Sequence, residues 1–455
     1  MYAFCQGFLL NIFRKKLENQ SMKNALLRGT LLLTIAGLFS RILGFFYRIF
    51  LANTIGAEGM GIYQLIFPIY SICFSLCASG IETAISKLTA EKYALGKQEE
   101  AAQVLKLGLI LTTTLSIGCS LVIFRYADLI SNTFLKEPRC SVLLKLLSLA
   151  IPFGSIHACA YGYYYGIHKA GIPSIAQIIE QIFRIGSVFL LYHIYLTNKI
   201  PLTPSIAVLG LILGEFFAFI FTVTCLSFQS TKRDAVSFAG KKTLLLEILH
   251  LSAPLTISRI CINLLTSLES ALIPHSLRSY GMTSEAALSV YGILNGMAIP
   301  FILFPNTLTS SISLMLLPEV SKSQAAGQLK HLKNTIRKSF SFCILLGCCS
   351  LLFFLFFGKM VGTMFFSNEL AGTFITILAW ICPFLYLNTT LNSVLNGLGK
   401  TNVTFFNGIA GLFLRIGFIC FLVPRIGIHG YLYGLLASQL FTTLSGCIFL
   451  RSAFH

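Results

Sequence analysis

Eight ionisable side chains stand inside long apolar runs of this chain: Arg41 and Arg48 in the first run, Glu180 and Arg184 in the fifth, Glu215 in the sixth, Arg259 and Glu269 in the seventh and Arg415 in the eleventh. A charge in a membrane span costs at least ~2.5 kcal/mol on insertion scales, so each must face a cavity, a partner or a ligand. The planar donor fork of a guanidinium suits phosphate and pyrophosphate oxygens. Arg41, Arg48, Arg259 and Arg415 are therefore candidates for binding an anionic substrate. Carboxylates in the same setting can carry H+ or Na+ or neutralise an arginine, which makes Glu269, Glu215, Glu180 and the adjoining Arg184 candidate coupling groups or counter-ions.

Spacing narrows these roles. Arg41 and Arg48 are two helical turns apart and share a face; with Gly37 and Gly44 nearby, that face is expected to combine close helix packing with two fixed positive charges. Arg259, at the repeat-related position, is expected to face them and make the cavity cationic, unless these arginines only bridge Glu215 and Glu269. Glu180 and Arg184 stand at i,i+4, either as an intrahelical bridge or as part of a cavity. Arg415 has Gly411 four residues before it and so needs another partner, an anionic ligand being one. His157 and His193 read as hydrogen-bonded core histidines. No Gly-Lys-Ser/Thr phosphate loop and no catalytic cluster is visible, which disfavours an ATPase or transferase; no metal or cofactor is implied.

The elements that position these residues follow from composition. Of 455 residues, 55% are hydrophobic and 11% charged, and the mean hydropathy is +0.80. Apolar runs of about 20 residues, the length that spans a bilayer, recur twelve times, giving an all-α polytopic membrane protein. The spans are expected near 27–51, 60–82, 103–124, 142–166, 174–196, 205–228, 247–275, 287–317, 337–357, 371–396, 402–423 and 430–450. Prolines 68, 152, 254, 300, 305 and 383 fall within them as bending points. The net charge of +18 sits mostly in short loops: about twenty basic residues on one side against about eight on the other place both termini in the cytosol. That placement speaks for topology and against nucleic acid. The 14 cysteines include no Cys-x-x-Cys pair and lie largely in apolar runs, as small buried hydrophobes.

Residues 1–21 lack the charge order of a secretory signal, and Met22-Lys23 just before the first span suggests a native start there, with 1–21 a dispensable extension. Segments 86–103 and 319–338 read as amphipathic cytosolic extensions, with Lys87 and Glu91 at i,i+4. The chain also repeats itself. Gly166, Lys169 and Arg184 recur as Gly397, Lys400 and Arg415 at an offset of 231; Ser40-Arg41 recurs as Ser258-Arg259 at 218, and Ser86-Lys87 as Ser321-Lys322 at 235. Six spans per half give two lobes of one orientation, 22–240 and 241–455, around a central cavity that can open to either side.

Gly29-Thr30-Leu31, Ser40-Arg41-Ile42-Leu43-Gly44-Phe45 with Arg48, Gly56-Ala57-Glu58-Gly59, Ala84-Ile85-Ser86-Lys87-Leu88 and Leu316-Leu317-Pro318-Glu319-Val320-Ser321-Lys322 together resemble the polysaccharide-type flippases. The likeness covers the chain from Met22 and falls nearest the sporulation branch of that family, within the multidrug/oligosaccharidyl-lipid/polysaccharide (MOP) exporter superfamily. It implies a MATE-like fold of two six-helix lobes. It also implies a flippase for an undecaprenyl-pyrophosphate-linked saccharide at the bacterial plasma membrane, such as a lipid II-like peptidoglycan or spore-cortex precursor, with membrane lipids and cell-wall synthesis enzymes as partners. Lipid II flippases of the superfamily use two first-span arginines. Arg41 matches the first by its Ser-Arg-x-Leu-Gly pattern, while Arg48 lies one residue beyond the second, and the eighth-span arginine of that subgroup has no counterpart between Tyr291 and Pro318. Two other readings stay open: a cation-coupled multidrug exporter of the same superfamily, and a non-transporting scaffold that recruits wall-synthesis partners.

Overall fold

The computed structural model describes the backbone of residues 2–228 and 238–452, and side chains over 35–228 and 242–452 except residue 325. The expectations for a start at Met22, for the extension 1–21 and for Arg14, Lys15, Lys16, Lys23, Arg28, Lys232, Arg233 and Lys241 concern side chains outside these described residues.

Twelve helical segments make up the described chain. Helices α1 (2–55) and α2 (57–94) are one run of hydrogen bonds interrupted at Gly56, whose φ of 70° and ψ of 178° lie in a region open almost only to glycine. The break is required by length: the apolar stretch Ile35–Ala94 has 60 residues, and a straight helix of that size would run ~90 Å, about three bilayer cores. The remaining helices are α3 (Gln98–Leu129), α4 (Cys140–Ser148 and Ala150–Gly166), α5 (Gly171–Thr197), α6 (Ser205–Phe228), α7 (Phe238–Ser279), α8 (Ser284–Leu303 and Asn306–Ala325), α9 (Leu329–Phe366), α10 (Glu369–Gly397), α11 (Thr401–Phe421) and α12 (Ile428–Ser452).

Several bends fall where the sequence places proline. Helix α4 turns by 41° at its break, three residues before Pro152, and α8 breaks at Phe304-Pro305. Wide π turns occur at Ser75–Ser79 in α2 and Ile293–Ala298 in α8. They begin 218 residues apart, the spacing that separates Arg41 from Arg259.

The halves meet most tightly at the end of the molecule near Gly56. A Cβ on Gly61 would stand 2.1 Å from the Leu288 carbonyl oxygen, and one on Gly292 would stand 2.0 Å from that of Ala57, so α2 and α8 touch backbone to backbone. Beside this seam Arg278 Nη1 donates to the Lys136 carbonyl at 3.1 Å, Lys136 Nζ lies 3.2 Å from His275 Nε2 and Ser284 Oγ donates to Glu137 at 3.4 Å. Arg139 fixes the α3–α4 corner from within, bonding Glu137 and Glu58 at 2.6 Å each; chiefly the hydrogen bond to Glu137 raises the pKa of its guanidinium above the ordinary value. At the opposite end Lys92 pairs with Glu100 at 3.4 Å and Glu247 at 3.6 Å, while the expected Lys87–Glu91 bridge is not among the ion pairs of the described residues.

Candidate anion cleft and buried charge clusters

Arg41 and Arg48 line one cleft of about 370 Å³ between α1 and the break in α8, with Phe45, Phe304, Asn306 and Thr307 around them. Two turns separate the arginines, about 10 Å along the helix. Neither has an ion-pair partner among the described residues. Gly44 lies between them, and a Cβ there, or on Gly37, would meet nothing within 4 Å. The expectation of close packing at these glycines is thus corrected: they leave open space in front of the arginines, and the close approach falls at Gly61 and Gly292. The break at Phe304-Pro305 brings the Asn306 side chain into the cleft wall, where it accepts from Thr309 and, at 3.3 Å, from Thr389.

A second group is buried in the first half. Arg184 bonds Glu180 one turn away and reaches Glu215 Oε1 of α6 at 3.5 Å. Glu215, 7% exposed, lies 2.7 Å from His157 Nε2 and accepts from Tyr70 Oη at 3.3 Å. Ligand atoms of His157, Glu180 and Glu215 all fall within 4.8 Å of one another, a spacing that could hold a cation. The single Arg184 guanidinium lies against both carboxylates, so the group is balanced only when His157 is protonated as well. Helix α5 sets the i,i+4 pair, and α4 and α6 bring the histidine and second acid across to it.

The second half holds a simpler pair. Glu269 of α7, 4% exposed, bonds Arg415 of α11 at 3.1 Å and accepts from Tyr431 Oη of α12 at 2.8 Å. The acid missing four residues before Arg415 is supplied by another helix. Arg259 is not brought to the Arg41–Arg48 cleft; its Nη1 donates to the Ser79 carbonyl at 2.7 Å and also meets the Ser79 hydroxyl, while Asn263 Nδ2 donates to the Ser71 carbonyl at 3.1 Å. These two side chains of α7 cap carbonyls flanking the π turn of α2, where helical bonding is irregular.

Tyr70, Tyr431, Asn306 and Thr389 did not stand out in the sequence. The signal that could have found the last two is the run Asn306-Thr307 and Thr309-Ser310-Ser311 directly after Pro305, polar residues in a span with a forced break.

Residues 26–324 match the polysaccharide biosynthesis protein family, and residues 254–421 match the MatE family. The chain belongs to the polysaccharide biosynthesis protein family. Stage V sporulation protein B of Bacillus subtilis (strain 168) is 27% identical to this family member over 428 residues, covering 93% of this chain and 83% of its own. Lipid II flippase MurJ of the same organism is 21% identical over 426 residues, 87% of this chain and 77% of that one. A solved lipid II flippase MurJ in an inward closed conformation shares the fold with a TM-score of 0.72 at 18% identity, covering 92% of this chain and 87% of that one. An inward-facing multidrug resistance MATE family transporter of the MOP superfamily gives 0.68 at 15%, covering 91% and 95%. This polysaccharide biosynthesis family protein is a multi-pass membrane transporter with the MOP fold, and not an enzyme.

Proposed function

We propose that the protein is a flippase that moves an undecaprenyl-pyrophosphate-linked saccharide, a lipid II-like peptidoglycan or spore-cortex precursor or another polysaccharide unit, from the inner to the outer leaflet of the plasma membrane. One observation carries this reading: Arg41 and Arg48 share an open cleft between the halves without any acid to neutralise them. Two unpaired arginines two turns apart on one helix face can converge their long side chains on the two phosphates of a pyrophosphate, and the neighbouring apolar helix faces leave the polyprenyl tail in lipid. Lobes 22–240 and 241–455 rock against each other, closing and parting the seam at Gly61 and Gly292, and expose the head group alternately. Both termini lie in the cytosol, by the loop charges, so the seam closes the outer side in this state. Buried Glu215 and Glu269 and half-buried Glu180 are the groups available to carry a coupling H+ or Na+.

The multidrug-exporter alternative needs an acidic pocket for cationic drugs. Here Glu180, Glu215 and Glu269 are each bonded to arginine, and the arginine-cleft lining holds no carboxylate. The deciding experiment uses cells depleted of their own lipid II flippase and expressing this protein or its Arg41→Ala form, scoring the lipid II that becomes accessible to an external enzyme. Restored accessibility that is lost in the variant at equal membrane level supports the reading. Full restoration by Arg41→Ala removes the pyrophosphate role, and no restoration by the parent moves the substrate to another lipid-linked saccharide or to a drug.

A further inference from the structure

A second polar cavity lies beyond the cleft, inside the second half. It measures about 320 Å³ and is walled by Asn388, Thr389 and Asn392 of α10, Asn407 of α11 and Gln439 and Thr442 of α12. This size is in the range of small-molecule sites. Its one charged lining residue, Arg415, is already paired with Glu269 at 3.1 Å, so the space is electrically neutral and rich in amides.

The hydrogen bonding of those amides is one-sided. Asn388 Nδ2 donates to Gln439 Oε1 at 2.9 Å and to Thr442 Oγ1 at 2.6 Å, and Asn407 Nδ2 donates to the Thr442 carbonyl at 2.9 Å. Both Nδ2 groups are thereby engaged within the protein. The carbonyl oxygens are not: Asn388 Oδ1 and Asn407 Oδ1 are buried without a partner on side chains 7% and 6% exposed. Arg415 Nε, at the edge of the same space, is also without one. Buried acceptors left unmade are costly, and once these side chains turn to the cavity the group that satisfies them must bring O–H or N–H donors. A phosphate, which offers acceptors only, could meet the Arg415 N–H but neither amide oxygen. A saccharide with hydroxyls and an acetamido N–H does.

Placement agrees with this chemistry. A third cavity of about 260 Å³ adjoins both neighbours, sharing Leu303 with the arginine cleft and Thr266, Leu385, Arg415 and Gln439 with the amide cavity. The Asn306–Thr389 hydrogen bond of 3.3 Å joins a residue of the cleft wall to one of the amide wall. A sugar bonded directly to a pyrophosphate needs two such adjoining compartments, one cationic and one neutral.

We infer that the amide cavity between α10, α11 and α12 is the saccharide subsite, which takes the uncharged, hydroxyl-bearing head of the substrate while Arg41 and Arg48 take its pyrophosphate. The inference rests on the flippase reading and deepens it. The test measures binding to the full-length protein in nanodiscs with a matched pair of probes, undecaprenyl pyrophosphate with and without an attached N-acetylglucosamine. Asn392→Leu is the first variant, because Asn392 is exposed to the cavity and has no side-chain hydrogen bond among the described residues. Asn407→Leu is the second. Loss of one hydrogen bond is expected to weaken the sugar-bearing probe about tenfold and leave the sugarless one unchanged, whereas Arg41→Ala weakens both. Equal weakening of the two probes in Asn392→Leu, or no weakening of either, overturns the subsite and leaves the flippase reading intact. A parent protein that binds neither probe overturns the flippase reading instead. The subsite then falls separately if millimolar di-N-acetylchitobiose fails to slow maleimide labelling at N392C, read by peptide mass spectrometry, and stands as a sugar site if it does slow it.

Discussion

Gly61→Ala is expected to hold the outer side of the protein open. In the closed seam a methyl on Gly61 would lie 2.1 Å from the Leu288 carbonyl oxygen, where ordinary contact begins at 3.4 Å. The ends of α2 and α8 must therefore separate by about 1.3 Å, and because both partners at the contact are backbone no side chain can swing away. Forcing an extra methyl into a packed contact costs ~1–3 kcal/mol. That cost is present in the closed state and relieved in the open one, so the ratio of open to closed rises by roughly 5- to 150-fold. The readout is the rate at which a membrane-impermeant maleimide, added outside, labels T307C in the arginine cleft, resolved from the native cysteines by peptide mass spectrometry. Labelling should rise within that range in Gly61→Ala, and transport should slow because the closed state is visited less. If labelling at T307C stays at the parent rate in a folded, membrane-inserted variant, the seam is not what closes that side.

Two further outcomes follow from the charge clusters. Arg415→Leu leaves Glu269 buried with only Tyr431 beside it and should destabilise the protein by ~3–5 kcal/mol in detergent unfolding; the double change with Glu269→Leu should recover most of that loss, and Arg184→Leu should cost more than Arg415→Leu, since it strands two carboxylates instead of one. By contrast Arg41→Ala and Arg48→Ala remove no ion pair and should leave unfolding within ~0.5 kcal/mol of the parent while both lower transport, so a large stability loss in either would show that it is held in the fold in a way the cleft geometry does not include.

What could be read in the sequence was whatever is local. Twelve apolar runs predict twelve helices because a bilayer fixes their length, and Glu180 with Arg184 could be read as a pair because i,i+4 geometry needs only one helix. The partner of Arg415 could not be read in this way: Glu269 lies 146 positions earlier, on a helix whose facing depends on how α7 crosses the molecule. The same holds for His157 and Glu215, which meet across two helices. Arg259 shows the opposite error. Repeat symmetry placed it opposite Arg41, but α7 packs its first half on α2 and α3, where Leu244 and Ile248 join Ile81, Ile85 and Val104, and this carries Arg259 to the π turn at Ser79. Gly37 and Gly44 look alike to Gly61 and Gly292 in sequence, since small residues serve open space and close contact equally well.

Two of the three π turns among the described residues occupy matching places in the halves. A π turn accommodates one residue more than the α-helix around it, and helices rarely tolerate that without a use for it. One at Ser75 and another at Ile293 stand at the offset that also relates Arg41 to Arg259, whereas the one at Ile130–Leu135 has no counterpart at that offset. The second helix of each half thus carries a joint at the same level, and both halves can bend at matching places. Around those matching joints the halves differ, with a charged cluster in the first and an amide wall in the second.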